Sequence, residues 1–301
     1  MNWNTWMTRG ALGLALAAIA LAPWMAPGRT AEAATLTVTK TADTNDGTCA
    51  GDCSLREAIN AASAGDTVSV PAGTYTLSIA GVSENAGATG DLDVLVNLTI
   101  DGAGAGLTII DGGALDNVIE VVGAASLTLD GVTVRNGAGN GVNTTSGSVT
   151  VTSSSIIDNT GGGINTYGGN VDVTDSTIDG NSSTGINTYG GNVSVDGSTV
   201  TNNLGGGINT YSGNVLVDAS TVNVNGGGGV NTSGGNIDVT GSAIDGNSNT
   251  GINTSSGDVL VDGSTVIENG DSGVNTSSGN IDVSDSTVSG NSDTGLNTSS
   301  G

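Results

Sequence analysis

Of the side chains in this 301-residue chain that could do chemistry, carboxylates dominate: 29 Asp or Glu stand against 5 Lys or Arg, two Cys and no His. Without imidazole, Ser-His-Asp and Cys-His catalysis and His-ligated metal centres are excluded. Beyond the first 33 residues the cations are Lys40, Arg56 and Arg135. A reaction in which a cationic side chain abstracts a proton therefore has very few groups to use. Glycoside hydrolysis needs two carboxylates across one sugar, and acids are so abundant here that any pairing is unspecific. Asp172, Asp175, Asp179, Asp196, Asp218, Asp238, Asp258, Asp262, Asp282 and Asp285 could share Ca²⁺ with turn carbonyls. They lie at neither EF-hand nor G-G-x-G-x-D spacing, so they read as solvated surface that aids solubility, and calcium is a weak expectation. No cofactor motif is present. A net charge of -24 excludes nucleic acid as a partner, because a phosphate backbone is bound through Lys and Arg.

Residues 1–33 read as a secretory signal. Arg9 precedes an apolar run from Ala11 to Ala26, and Ala31-Glu32-Ala33 forms an A-x-A cleavage signature. Pro23 and Pro27 interrupt the run, which is shorter than the ~18 to 20 residues of a membrane span, and no later segment could cross a bilayer. The mature chain is thus expected to be secreted or at the cell surface. In an exported chain, Cys49 and Cys53 at C-x-x-x-C spacing are expected to form a local disulfide.

The elements that must carry these groups are set by a repeat. The tetrapeptide G-x-N-T begins at Gly141, Gly163, Gly185, Gly207, Gly229, Gly251, Gly273 and Gly295, a constant step of 22. Val151, Val173, Val195, Val217, Val239, Val261 and Val283 keep that step, as do a Ser column from Ser154 to Ser286 and a second Asn column from Asn159 to Asn291. Within a unit the apolar residues alternate, as in Val171 and Val173, so each unit holds short strands separated by Gly and Asn corners. Such strands bury a face only if each unit makes one circuit and stacks on the last, ~4.8 Å away. Val and Ile then fill the interior, and stacked Asn amides bond up and down their columns. A leucine-rich repeat also fits the step, but the rest of each unit is rich in Gly, Ser, Thr, Asn and Asp, which are poor helix formers.

Residues 141–301 form the regular coils, ending mid-unit as a truncated chain would. Residues 81–140 are less regular: Leu127, Leu129 and Val134 continue the Val149, Val151 and Ile156 columns. The pairs Leu98/Ile100, Leu107/Ile109 and Ile119/Val121 mark three or four imperfect coils. Residues 34–80 form a cap in which Ser54-Leu55-Arg56-Glu57 is a capping box opening a short helix, with Leu55, Ile59 and Ala62 on one face and Gly65 as its stop. Such a helix suits a lid over the first coils.

The segment TVTKTADTNDGTCAGDCSLREAINAA, Thr37 to Ala62, resembles the CSLREA domain of exported bacterial β-helix proteins, and the following GDLDV and LTIDGAGAGLTIIDGG continue that pattern. The coils resemble the GGAI and FxxN repeats of polymorphic outer-membrane proteins, although no Phe is present. The resemblance implies a right-handed parallel β-helix of the pectin-lyase type with a short N-terminal capping helix, and a secreted or surface location. It does not imply an activity.

Lyases of the pectate type resemble one another in using Ca²⁺ held by carboxylates and an Arg or Lys as base. Arg135 is the candidate the coils offer. One repeat step sets Asp158 above Asn136, beside Arg135, and the plain reading of that neighbourhood is a surface ion pair contributing at most ~1 kcal/mol. An exposed Thr array could order ice, but Thr166, two residues after Ile164, is expected to point inward with it. Tyr167, Tyr189 and Tyr211 fall in one column, where mutual stacking competes with a sugar platform. The leading expectation is a non-enzymatic, rigid surface or adhesion module whose partners are polysaccharide or cell-surface components. The alternative is a protein of pectate-lyase type that acts on or binds acidic polysaccharide.

Overall fold

The computed structural model describes residues 33–300, so the signal reading of residues 1–33 lies, except for Ala33, outside the described residues. Each coil gives one short strand to each of three parallel sheets. In the coil around Asn165, Ile164–Thr166 belongs to sheet C, Val171–Thr174 to sheet A and Thr177–Asp179 to sheet B. Sheet A has eleven strands, and sheets B and C have ten each. Neighbouring strands are one coil apart, so Ile164 pairs with Ile186, Val171 with Val193 and Ile178 with Val200. This register is the 22-residue repeat itself, and it puts like residues on like.

Alternation decides the rest. Val171 and Val173 point into the coil and are buried while Asp172 is exposed, and the inward Val and Ile columns of the regular coils are 0–2% exposed as far as Val274, with Ile281, Val283 and Val288 of the last coil only partly buried. Helix among the described residues is confined to α1, Leu55–Ala61, which excludes the leucine-rich arrangement. No helix of the described residues is long and apolar enough to cross a membrane.

Corners turn because single positions adopt left-handed backbone. Asp175 (φ 48°), Gly197 (φ 55°) and Ala219 (φ 46°) stand in one column between sheets A and B. The Ser of that corner is buried, and its Oγ accepts from the preceding coil: Ser154 N–H donates to Ser176 Oγ at 3.1 Å. The inner Asn column does more. Asn203 donates from both its backbone N–H and Nδ2 to Asn225 Oδ1, and Asn225 repeats this toward Asn247 while also donating to the Val200 carbonyl. Each buried amide thereby satisfies backbone that the corner removes from the sheets.

Toward the N-terminus the step lengthens. Leu127 still pairs with Val149 and Val134 with Ile156, one regular step apart. Before that, Asp111 pairs with Arg135, Leu92 with Ile119 and Leu98 with Leu127. The extra residues of these coils go mainly into the corners of residues 103–107 and 112–118, and the longest corner, residues 77–91, comes before them. Leu98, Ile100, Ile119 and Val121 point inward as expected. Leu107 and Ile109 do not: Leu107 is exposed, and Thr108 and Ile110 fill the interior instead. The phase is set by Thr108, whose Oγ1 donates to the Val70 and Pro71 carbonyls and accepts from Ala103 N–H, which fixes the inward residue at the corner.

The cap closes the N-terminal end of the coils. Ser54 and Glu57 form the capping box in both directions, and Leu55 and Ile59 are buried while Ala62 packs partly buried against the core. The helix stops at Ala61, and Gly65 (φ 90°) makes the turn that follows. Arg56 is also buried. Its guanidinium pairs with Asp43 (Nε to Oδ1, 2.8 Å) and donates to the carbonyls of Asp91 and Gly90, tying α1 to the first strand of sheet C, Leu92–Val94. Beside it Glu57 is held down to a pKa of about 2. Burial pushes it up, but N–H donors of Ser54 and Asp46, the Thr44 hydroxyl and Lys40 outweigh that. Cys49 and Cys53 are joined in a disulfide.

Candidate functional site

The outward face of sheet C carries the longest polar array. Asn143, Asn165, Asn187, Asn209, Asn231, Asn253, Asn275 and Asn297 are stacked by register, each Nδ2 donating to the Oδ1 of the coil before at 2.6–2.9 Å. A primary amide has two N–H groups and two acceptor lone pairs. From Asn165 to Asn275 the ladder consumes one of each, which leaves each of these half-buried Asn one N–H and one lone pair outside the ladder.

Beside this ladder runs the column Thr184, Gly206, Gly228, Thr250. Its two central members lack side chains, and there the surface sinks into an open groove of about 520 Å³ lined by Asn209, Asn231, Asn253 and Asn275 on one side and by Asn249, Thr250 and Asp271 on the other. Thr250 Oγ1 donates to Asp271 at 3.0 Å, which orients that rim. Four ladder residues, three steps of ~4.8 Å from first to last, make the groove wall ~14 Å long.

At the other margin of the same sheet, Tyr167, Tyr189 and Tyr211 stack with ring centroids 4.8 and 4.7 Å apart and planes 2° and 3° from parallel. The inner ring faces are spent on one another. Sugar stacking is left with the outer faces of Tyr167 and Tyr211, while the hydroxyl edges form a short row. Thr166 is buried as anticipated, and accepts from Gly169 N–H at 3.0 Å, so the Thr column presents no hydroxyl array to water.

Arg135 lies on sheet B. Its partner is Asp111, not Asp158: Nε donates to Oδ2 at 3.0 Å, and Asn136 Nδ2 donates to Oδ1 at 2.7 Å. The 22-residue step does place Asp158 above Asn136, whose N–H donates to the Asp158 carbonyl, but the ion pair is made with the preceding coil, where Asp111 lies 24 residues back and in register with Arg135. Burial pushes the Asp111 carboxyl up, but Asn136, Gly113 N–H and Arg135 outweigh it and leave the pKa below the usual range. A guanidinium so engaged is a poor base.

The scattered acids are exposed or half-exposed and mostly interleaved by register: Asp172 stacks on Ser194, Leu216 separates Ser194 from Asp238, and Leu260 separates Asp238 from Asp282, while Asp196 and Asp218 are in direct register but are joined by no third acid among the described residues. The carboxylates that do converge are others. Asp91, Asp93 and Glu120 bring oxygens within 4.8 Å of one another on the first two strands of sheet C. Asp91 and Asp93 are each 1% exposed. Burial, then the charges of Asp93, Asp116 and Glu120, push the Asp91 pKa up to about 7. Burial likewise raises Asp93 to about 6 against the pull of the Gly87 N–H. The signal for this cluster was the spacing of Asp91 and Asp93 around inward-facing Leu92, which sets both on one side of a strand. Glu120 joins them through a 27-residue coil that no periodicity announces.

Comparison with known proteins fits this architecture. The crystal structure of pectate lyase Pel9A aligns over 87% of this chain and 80% of that one, at 18% identity and a TM-score of 0.61. The A-module of the Azotobacter vinelandii mannuronan C-5 epimerase AlgE6 aligns over 81% of this chain and 94% of its own, at 17% identity and a TM-score of 0.50. At such identities the likeness carries the fold and not an activity. No curated protein matches the sequence. The family model for the right handed beta helix region matches residues 117–258 and 166–301, beyond the stretch that resembles the CSLREA domain. These spans together cover more than half of the sequence and all of the regular coils, so the chain belongs to the right-handed β-helix family.

Proposed function

We propose that this chain is an exported polysaccharide-binding β-helix whose binding face is the groove of sheet C. The observation that carries the reading is the Asn ladder from Asn209 to Asn275. It forms one wall of a long open groove and keeps an amide donor and acceptor free at every coil. A periodic row of paired donors and acceptors suits a polymer of hydroxyl-bearing rings, which offers the same groups periodically. Support from outside the chain is of the same class, since the two aligned structures are named for pectate and mannuronan. Export is supported by the reading of residues 1–33 and by the Cys49–Cys53 disulfide, a bond that persists in oxidising compartments.

Bond breaking is not part of the proposal. Arg135 stands on sheet B, engaged with Asp111, while the groove is on sheet C, so base and binding face do not converge. A net charge of -24 repels a polyuronate unless cations bridge the two. We therefore expect a neutral glucan to bind without added metal and polygalacturonate to bind only with Ca²⁺.

Affinity electrophoresis in gels containing each polymer tests this. The chain is expected to be retarded, and Asn231→Ala with Asn253→Ala to relieve the retardation several-fold while the circular dichroism spectrum stays β-dominated. Absorbance of unsaturated uronates is followed in parallel. Unretarded migration in every polymer sinks the reading, and so does lyase product that disappears with Arg135→Ala.

A further inference from the structure

The outward column of sheet C does not begin with Asn. Asn143 is in register with Glu120, and Glu120 with Asp93. Where the later coils stack amides, the first two stack carboxylates, with Asp91 two residues before Asp93 on the same side of the strand. Carboxylates accept hydrogen bonds and donate none when ionised, so they cannot form the ladder that the amides form.

The donors around them are too few. Asp93 Oδ2 accepts from Gly87 N–H at 2.7 Å, and Glu120 accepts from Asn85 Nδ2 at 3.1 Å and Asn117 Nδ2 at 3.5 Å. Asp91 Oδ2 and Asp93 Oδ1 are buried with no hydrogen-bond partner at all. The nearest cation, Arg56, commits its fork to Asp43 and its remaining N–H groups to carbonyls. Glu84 and Glu120 add negative charge rather than relieve it. Orphaned buried oxygens facing two further carboxylates are what a bound cation would complete.

We propose that Asp91, Asp93 and Glu120 bind one calcium ion that fastens the corner of residues 79–90 to the first coils. The donor set is all oxygen, which suits a hard cation and not a thiophilic or imidazole-seeking metal. Ca–O distances of about 2.3–2.6 Å allow two oxygens on one ion to be up to about 5 Å apart, which the cluster satisfies. Glu120 is half-exposed and opens the site to solvent. The corner that would be tied down already leans on the same residues through Gly87 and Asn85. This site is separate from the groove and does not rest on polysaccharide binding.

Calcium alone is the probe. The full chain, stripped with chelator, is titrated with CaCl₂ by calorimetry at pH 7.5, and melting is followed with and without the ion. One ion per chain is expected, together with a calcium-dependent rise in Tm. Asp93→Asn and Glu120→Gln should each weaken association at least tenfold and remove the rise, while Asp238→Asn on sheet A leaves both intact. Asn nearly preserves the volume of Asp and removes a repelling charge, so in calcium-free buffer Asp93→Asn should melt no lower than the parent. Absence of saturable heat and of any Tm shift overturns the proposal. A shift that survives both substitutions overturns it equally, because the ion is then held elsewhere.

Discussion

The first two coils and the later ones occupy the same column of sheet C with side chains that differ by one functional group. From Asn143 onward the column carries amides, and each from Asn165 to Asn275 donates to the coil before and accepts from the coil after. At Asp93 and Glu120 it carries carboxylates, and there buried oxygens are left without donors. A solenoid can repeat a residue indefinitely only if that residue is its own complement when stacked. Asn is such a residue and Asp is not, so the carboxylate end is built for something other than stacking.

The sharpest way to break the amide side of that contrast is Asn225→Ala in the buried inner column. It strands the backbone N–H and Nδ2 of Asn203 and the bond to the Val200 carbonyl, and takes one of the two donors from Asn247 Oδ1, which keeps the backbone N–H of residue 225. At about 1–3 kcal/mol per orphaned buried group, a loss of roughly 3–5 kcal/mol is expected in urea denaturation. A loss below about 1 kcal/mol would show that the column is not what holds the corners.

A second test exploits a carboxylate of the N-terminal region that, unlike Asp91 and Asp93, is well supplied with donors. Glu57 has a folded pKa of about 2 against 4.5 for the free group. Its charged form therefore adds stability above pH 4.5, and this is lost as pH falls through about 2. Its facing groups are Lys40, which also pairs with Asp52, the Thr44 hydroxyl and the N–H groups of Ser54 and Asp46. Glu57→Gln should be less stable than the parent at pH 7, and the gap between the two should close near pH 2. A gap independent of pH would mean that the side chain matters by shape alone.

Moving a carboxylate into the amide region is the converse experiment. Asn187→Asp keeps acceptance from Asn209 but loses donation to Asn165 Oδ1, a loss of about 1 kcal/mol at neutral pH that should leave calcium affinity unchanged. Comparable in size is Tyr189→Ala. It removes both ring contacts of an exposed stack, at about 0.5–1.5 kcal/mol by thermal denaturation.

Legibility in the sequence followed periodicity. The Val, Ser and inner Asn columns and the Tyr stack could be assigned because one fixed step translates sequence into neighbourhood. The capping box was legible for a different reason: its two hydrogen bonds join residues three apart. Where corners carry extra residues, translation fails. That is why alternation alone sets Leu107 and Ile109 inside in place of Thr108 and Ile110, and why the step that correctly puts Asp158 above Asn136 does not lead back to Asp111, the ion-pair partner of Arg135. The groove was illegible because it is made by two missing side chains, Gly206 and Gly228, beside a ladder whose depth no sequence states.

By itself the sequence determined the stacking unit, its inward and outward faces and the residue types excluded from catalysis, since alternation and a constant step are local properties of the chain. Only the tertiary structure decided which carboxylates meet. Asp93 reaches Glu120 through a coil of irregular length, and Asp91 is buried where Arg56 of the helix donates to its carbonyl from 35 residues away in the chain. Contact across an irregular loop and burial beneath a distant segment are consequences of packing, and neither leaves a period in the sequence.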